Sequence, residues 1–288
     1  MEDAIGIIAY HSVKVNKELI NHLKNCKAIV KATIGFDDVD LSYAEEKNIR
    51  CANIPGLGVD EVADHTLALI LAAQRGLLNF RAAINENHWS WRSAGVLETS
   101  KELTLGLIGY GRTGQAVAKR AQAFGYKIIF FDPVNELETF ESKKVSALED
   151  IYRQADIISL HLPLTDATKN LIDAQAFALM KPGVIIVNTA RGALINTQDL
   201  LIHLNNGKVA QACLDVVAEE PNITHELKRH PKIILTPHAA FYSQHSLLEL
   251  RARAANILIR LINNEVIENL LTHKEAETHV NHTESSRG

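Results

Sequence analysis

The sequence predicts an α/β protein built on a doubly wound parallel sheet. Three features predict it. Short, continuous apolar runs alternate with stretches of helical spacing along most of the chain. The loop Gly109-Tyr110-Gly111-Arg112-Thr113-Gly114 joins one such run to a helical stretch. The next run closes on Asp132, 18 residues past the last glycine, near the roughly 20 expected of a strand, glycine turn, helix, strand and acid in one βαβ unit.

The elements follow in order. Residues 4–10 read as a buried strand, Lys17 to Lys24 as a short helix and Lys27 to Thr33 as a second strand ending near Gly35. Leu41 to Lys47 is helical and Ile49 to Asn53 a third strand, so a small parallel sheet is expected here. Pro55 and Gly56 break the rhythm. A long helix then runs to about Leu78 with Asp60 as its cap, since Val62, Thr66, Leu69, Ile70 and Ala73 fall at helical spacing. Trp89 and Trp91 read equally well as core filling or as a domain or oligomer contact. Leu103 to Ile108 is the strand before the glycine loop, Gln115 to Phe124 the helix after it, and Tyr126 to Phe131 the next strand. Helices at 148–154, 173–180 and 198–205 alternate with strands at 157–162, 184–188, 211–217 and 232–235. A final helix spans about Ser243 to Leu261, and the polar residues 272–288 read as a disordered tail.

Length and composition narrow the function. A chain of 288 residues suggests one large or two ordinary domains. Net charge is −4 with no basic block, which argues against direct nucleic-acid binding. Cys26, Cys51 and Cys213 are scattered, so a reducing, cytoplasmic location is expected rather than a disulfide framework or zinc site. No metal site is expected, since the 13 histidines show no metal-ligand spacing. The acidic start lacks a signal-peptide core, and the apolar run Leu67 to Ala73 is far too short to span a membrane.

The glycine loop and four later residues carry the chemistry. Gly109 permits a tight turn, Gly111 lets backbone approach a pyrophosphate, and Gly114 lets the helix pack closely. The helix start then offers N–H groups and partial positive charge to phosphates. Asp132 suits the ribose hydroxyls of adenosine and repels a 2′-phosphate, so NAD is expected over NADP. Three later strands end at Val187-Asn188-Thr189-Ala190-Arg191-Gly192, at Leu214-Asp215 through Glu219-Glu220-Pro221, and at Thr236-Pro237-His238-Ala239-Ala240. In open α/β sheets ligands bind beyond the carboxyl ends of strands, which brings Arg191, Asp215, Glu220 and His238 toward one crevice. An arginine fork can hold a carboxylate and polarise a C–O group. A histidine can exchange a hydroxyl proton, and a carboxylate beside it orients the ring. Singly, Arg191 reads as well as a surface ion-pair partner, Glu220 as part of an acidic loop and His238 as a turn residue. As a set behind a dinucleotide loop they point to hydride transfer on a 2-hydroxy acid.

These motifs, in this order, resemble the D-isomer-specific 2-hydroxyacid dehydrogenase family over roughly residues 4–265. The segment Thr236 to Ser243 is most similar to the C-terminal-binding-protein branch, which carries tryptophan where Phe241 stands. The resemblance implies a Rossmann-type domain at 56–238 inserted into a smaller flavodoxin-like substrate domain made of 1–55 and 239–271. Arg191, Glu220 and His238 would be catalytic, with Arg191 binding substrate together with the Thr33-Ile34-Gly35 loop. Tyr110, Gly111, Arg112, Thr113, Gly114, Asp132, Leu162, Pro163, Thr189, Ala190, Asp215 and Ala240 would contact NAD. The helix from Asp60 resembles the interdomain and dimer helix, so a homodimer is implied. The family pattern has one further strand and helix before residue 1, whose lack would leave an apolar face exposed. Phosphite-oxidising relatives carry a lysine near Ile34, which disfavours that substrate. The loops at 9–13, 56–58 and 241–244 would set substrate choice, and Tyr10 and His11, at a strand end, read equally well as substrate neighbours or as surface-loop residues. An NAD(H)-responsive partner-binding protein, as in the corepressor branch, is the alternative reading. A hydrolase of related fold, such as an adenosylhomocysteine hydrolase, is remote.

Overall fold

A computed structural model of the chain describes residues 2–10, 13–135 and 142–272. It divides into two compact units, one running from Val59 to Ala240 and the other formed by the segments on either side.

The flanking unit begins with β1 (Gly6–Ala9), α1 (Lys17–Asn21), β2 (Ala28–Lys31), α2 (Leu41–Glu46) and β3 (Arg50–Ala52). The three strands are parallel, with Ile7 opposite Ile29 and Ile29 opposite Cys51. Each helix starts at a side-chain cap. Asn16 accepts from Leu19 N–H and Asp40 from Tyr43 N–H, both at 3.0 Å. The expected elements are all present but shorter at their ends, because the ladder stops before the apolar run does. Ile20, Ile29, Leu41 and Ile49 fill one face of this sheet.

The central unit opens with α3 (Val59–Gln74) and α4 (Leu77–Asn85). These correct the expectation of one helix through Leu78. Gly76 adopts φ +59° between them, and a Cβ there would press on the Ala94 methyl, so glycine permits both the turn and the close approach. Asp60 is not the cap either. It lies in the first turn, and its carboxylate accepts from Arg120 at 2.7 Å. Trp89 and Trp91 are 91% and 72% exposed within the chain, which removes the core-filling reading. Among the described residues no single helix is long and apolar enough to cross a membrane.

The alternating part follows as β4 (Thr104–Ile108), α5 (Arg112–Ala123), β5 (Lys127–Phe131), β6 (Ser142–Lys144), α6 (Leu148–Gln154), β7 (Ile157–Leu160), α7 (Ala174–Leu179), β8 (Val184–Asn188), α8 (Thr197–Asn205), β9 (Val209–Leu214), α9 (His225–Arg229) and β10 (Ile233–Leu235). The sheet order is β10-β9-β8-β7-β4-β5-β6, with every pairing parallel. The chain starts at β4 in the middle, winds out to β6, then returns to build the other half from β7. The strand order therefore reverses between β4 and β7, which is the switch point where such sheets bind ligands. Apolar cores cover both faces, one around Phe177, Ile186 and Leu204, the other around Ile70, Leu107 and Val117. Burial on both faces explains why the strands read as unbroken apolar runs. The strand expected at 211–217 ends instead at Leu214, and that expected at 157–162 ends at Leu160, leaving the residues beyond them as turns.

The chain returns to the flanking unit as α10 (Gln244–Ile262) and β11 (Leu270–Leu271). Ser243 and Ser246 form a reciprocal cap at the helix start, each backbone N–H donating to the other's hydroxyl at 2.9 Å. α10 buries Leu250, Ala254 and Leu261 in a core shared with Ala28, Val30 and Ala52. Arg50 donates to the carbonyls of Leu261 and Glu265, closing the C-terminal end of the helix. β11 pairs antiparallel with β3. His11, raised as a substrate neighbour, and residues 273–288 of the expected tail lie outside the described residues.

Candidate active site

The glycine loop shows why each glycine is there. Gly109 turns at φ +92°, and a side chain on it would run into the backbone of His161. A Cβ on Gly114 would collide with the carbonyl of Gly109. On Gly111 a Cβ would meet nothing within 4 Å. Two glycines are therefore demanded by the fold, while the third faces open space at the start of α5. A phosphate cradle needs that arrangement.

Asp132 is held by the backbone of that loop and of the residues that follow it. One oxygen accepts from Tyr110 N–H at 2.7 Å, and the other accepts from Val134 and Asn135 N–H at 2.9 and 2.8 Å. A carboxylate offers about four acceptor sites, so one remains on the oxygen bound to Tyr110. The Tyr110 ring is buried and stacked on Phe130 with 3.8 Å between centroids. Only its backbone faces the loop. Leu162 and Pro163 follow β7, where His161 N–H donates to Ile108 O at 2.7 Å. Burial pushes the His161 imidazole down to about 4, so it stays neutral near pH 7, with Nε2 2.9 Å from Ser159 Oγ.

At the end of β8, buried Asn188 shapes the next turn. Its carbonyl accepts from Ala190 N–H at 3.0 Å and its amide donates to Arg191 O at 2.8 Å. Thr66 of α3 donates its hydroxyl proton to Val62 O, so Thr189 donates to Thr66 across 2.8 Å. Gly192 follows, seated directly against the backbone of Val217 and Ala218.

Beyond β9 and β10 the remaining residues meet. Asp215 is 2% exposed and its N–H donates to Asn188 O at 2.9 Å. Its carboxylate accepts from the Thr236 hydroxyl at 2.6 Å and from the N–H groups of Ala239 and Ala240, both at 2.9 Å. His238, at φ +51°, donates its N–H to Asp215 O at 2.8 Å. The side chain places Nδ1 2.8 Å from Glu220 Oε1. Glu220 Oε2 accepts from Val217 N–H at 3.4 Å. Thus Glu220 joins His238, Asp215 anchors the turn that carries His238, and Arg191 stands at the end of the neighbouring strand. The sequence reading missed Asn188, Thr66 and the seat of Gly192. Only the first had a local signal, as the residue before the Thr189-Ala190-Arg191-Gly192 turn.

In the flanking unit the Thr33-Ile34-Gly35 loop follows β2. Thr33 hydroxyl donates to Gly35 O at 2.5 Å, Asn53 amide to Ile34 O at 2.6 Å, and Ile54 N–H to Thr33 O at 3.0 Å. Just before it, Lys31 is 2% exposed and donates to Tyr10 O, Val13 O and Asp38 at 3.2, 2.7 and 2.6 Å. Burial pushes the thiols of Cys51 and Cys213 up to about 12, so neither suits nucleophilic work. Among the described residues no cluster of His, Cys, Asp or Glu could hold a metal ion.

Residues 67–240 match the family model described as "D-isomer specific 2-hydroxyacid dehydrogenase, NAD binding domain". A hydroxypyruvate reductase of Thermotoga maritima is 40% identical over 239 residues, covering 81% of this chain and 76% of that protein. A glyoxylate reductase of Thermococcus litoralis is 35% identical over 266 residues, covering 90% and 80%. The crystal structure of D-lactate dehydrogenase from Aquifex aeolicus with NAD and lactic acid superposes with a TM-score of 0.85 at 29% identity, covering 94% and 87%. The open space at Gly111, the fixed Asp132 and the remaining acceptor site on Asp215 all fit NAD. The chain belongs to the D-isomer-specific 2-hydroxyacid dehydrogenase family and is an NAD-dependent enzyme interconverting a 2-oxo acid and a D-2-hydroxy acid.

Proposed function

We propose that His238 is the acid/base of this reaction, oriented by Glu220, and that Arg191 holds and polarises the substrate. The contact between His238 Nδ1 and Glu220 carries this reading. With Nδ1 facing the carboxylate, Nε2 is the nitrogen that gives a proton to the carbonyl oxygen in reduction and takes it from the hydroxyl in oxidation. The Arg191 fork binds the substrate carboxylate and draws electron density from the reacting C–O group. When bound, NAD supplies the hydride donor and acceptor. Asp215 offers its remaining acceptor site to the nicotinamide carboxamide. Gly111 to Gly114, Asp132, Leu162, Pro163, Thr189, Ala190 and Ala240 hold the rest of the dinucleotide, while Tyr110 serves it only indirectly, its ring buried and its N–H donated to Asp132. The Thr33-Ile34-Gly35 loop receives the substrate carboxylate through the N–H groups of Ile34 and Gly35, that of Thr33 being donated to Lys31 O at 2.8 Å. The central unit is thus the NAD-binding domain and the flanking unit the substrate domain.

We take the substrate to be a short 2-oxo acid, since relatives are named for hydroxypyruvate and glyoxylate. Exposed Trp89, Trp91 and Val96 support a homodimer, and three free, buried cysteines support a reducing, cytoplasmic setting. The test is a panel of 2-oxo acids with NADH and NADPH. Oxidation of NADH with a short 2-oxo acid is expected. His238→Ala lowers kcat by about 10²–10⁴ while sparing NADH binding. No turnover across the panel refutes the reading, and pulldown of partners only with NADH would point to the corepressor-like alternative.

A further inference from the structure

His65 lies on α3, half-buried, with no part in the roles above. Its Nε2 is 3.0 Å from Thr236 Oγ1 and 3.7 Å from Asp215 Oδ1. Thr236 Oγ1 in turn donates to Asp215 Oδ1 at 2.6 Å. A hydroxyl carries one proton, and the carboxylate of Asp215 can only accept it. The Thr236 oxygen therefore accepts from His65, and His65 Nε2 must bear a hydrogen. The chain of bonds has one direction, from imidazole N–H to hydroxyl to carboxylate. Each bond polarises the next.

We propose that His65 is a positioning residue, which through Thr236 fixes the Asp215 carboxylate and the turn carrying His238. The turn needs such a hold. His238 sits at φ +51°, a left-handed conformation uncommon for residues with a side chain. Asp215 imposes it by accepting from Ala239 and Ala240 N–H and, through its carbonyl, from His238 N–H. Without a donor at position 65, the Thr236 hydroxyl still donates to Asp215, but its oxygen loses a partner and that bond is weakened. The carboxylate is then held less firmly and the turn loosens. Thr66, the next residue, accepts from Thr189, so one stretch of α3 supports two strand-end turns. The proposal rests on the reading of His238 as acid/base and Asp215 as a cofactor contact.

The test compares His65→Leu, His65→Gln, Thr236→Val and the double variant His65→Leu/Thr236→Val with wild type and His238→Ala. Glyoxylate and hydroxypyruvate with NADH serve as probes. His65→Leu is expected to lower kcat on the order of tenfold with little change in KM for the 2-oxo acid. His65→Gln, whose amide can donate from nearly the same place, recovers most of the rate. The double variant is no worse than the poorer single one, because both break the same bond chain. The ¹⁵N spectrum of His65 shows a hydrogen on Nε2. Wild-type kcat in His65→Leu beside an inactive His238→Ala overturns this proposal alone. So does a glutamine variant as slow as the leucine variant, or a neutral His65 protonated only at Nδ1. Full activity in His238→Ala overturns the acid/base reading and this proposal with it.

Discussion

Gly192→Ala is expected to damage both the fold and the rate. Gly192 does not occupy a left-handed conformation, so an alanine backbone could adopt its angles. The obstacle is space, because a Cβ would overlap the backbone C and O of Val217 and the N of Ala218. These are main-chain atoms and cannot rotate aside. Carbon atoms pack at about 3.5 Å, far beyond what this seat allows. Relief must come from spreading the 191–192 turn away from the 217–218 turn. The strands beneath resist, since β8 and β9 are paired up to Asn188 and Leu214. Overpacking of this kind costs about 2–3 kcal/mol. For a chain of this size that lowers the melting temperature by roughly 6 °C. Arg191 adjoins one side of the contact and Glu220 follows the other by two residues. A separation on the order of 1 Å there costs about 100-fold in kcat/KM. Thermal melting and NADH oxidation with glyoxylate measure the two effects. A variant with wild-type melting and wild-type kcat/KM would refute the argument that this seat aligns the turns carrying the proposed Arg191 and Glu220.

Gly111→Ala is expected to do the reverse, leaving the melting temperature of the cofactor-free protein unchanged while weakening NADH binding, since its Cβ meets nothing within 4 Å. Fluorescence titration with NADH checks it, and unaltered affinity would show that the open space is not the phosphate site. Lys31→Met strands Asp38 and two carbonyls, and is expected to cost about 3 kcal/mol in urea unfolding. His161 takes a proton in the unfolded chain below its ordinary 6.5 but in the folded protein only below about 4. Stability is therefore whole above pH 6.5 and falls as pH drops toward 4. Because residue 161 as a whole is only half-buried, His161→Gln should remove only about 2 kcal/mol of the difference between neutral pH and the acid end of that window. Identical pH dependence in wild type and variant would exclude His161 as the cause.

The fold and the motifs of the candidate site were legible because their signals are local. Glycine spacing, an acid at a strand end and the Pro237-His238 turn are visible without neighbours, and buried parallel strands announce themselves as apolar runs. The failures arose where a distant partner decides. Gly76 splits a continuous helical pattern because Ala94 approaches it. The seat of Gly192 exists only once β8 and β9 pair, and Tyr110 turns inward because Phe130 offers a stacking face. β11 is two residues long and pairs with a strand more than two hundred residues earlier, so no periodicity could reveal it. β6 is polar and short, which hid it as an edge.

The split of the flanking unit into two chain segments governs how the protein is made. Its first three strands leave the ribosome early, but α10 and β11 emerge only after the whole central unit. Residues 59–240 are contiguous and can close as they are synthesised. The early strands meanwhile show the apolar surface that α10 will cover. The nucleotide site is thus built first, and the Thr33-Ile34-Gly35 loop gains its final support last. Slow synthesis through the central unit prolongs the exposure of that unfinished sheet.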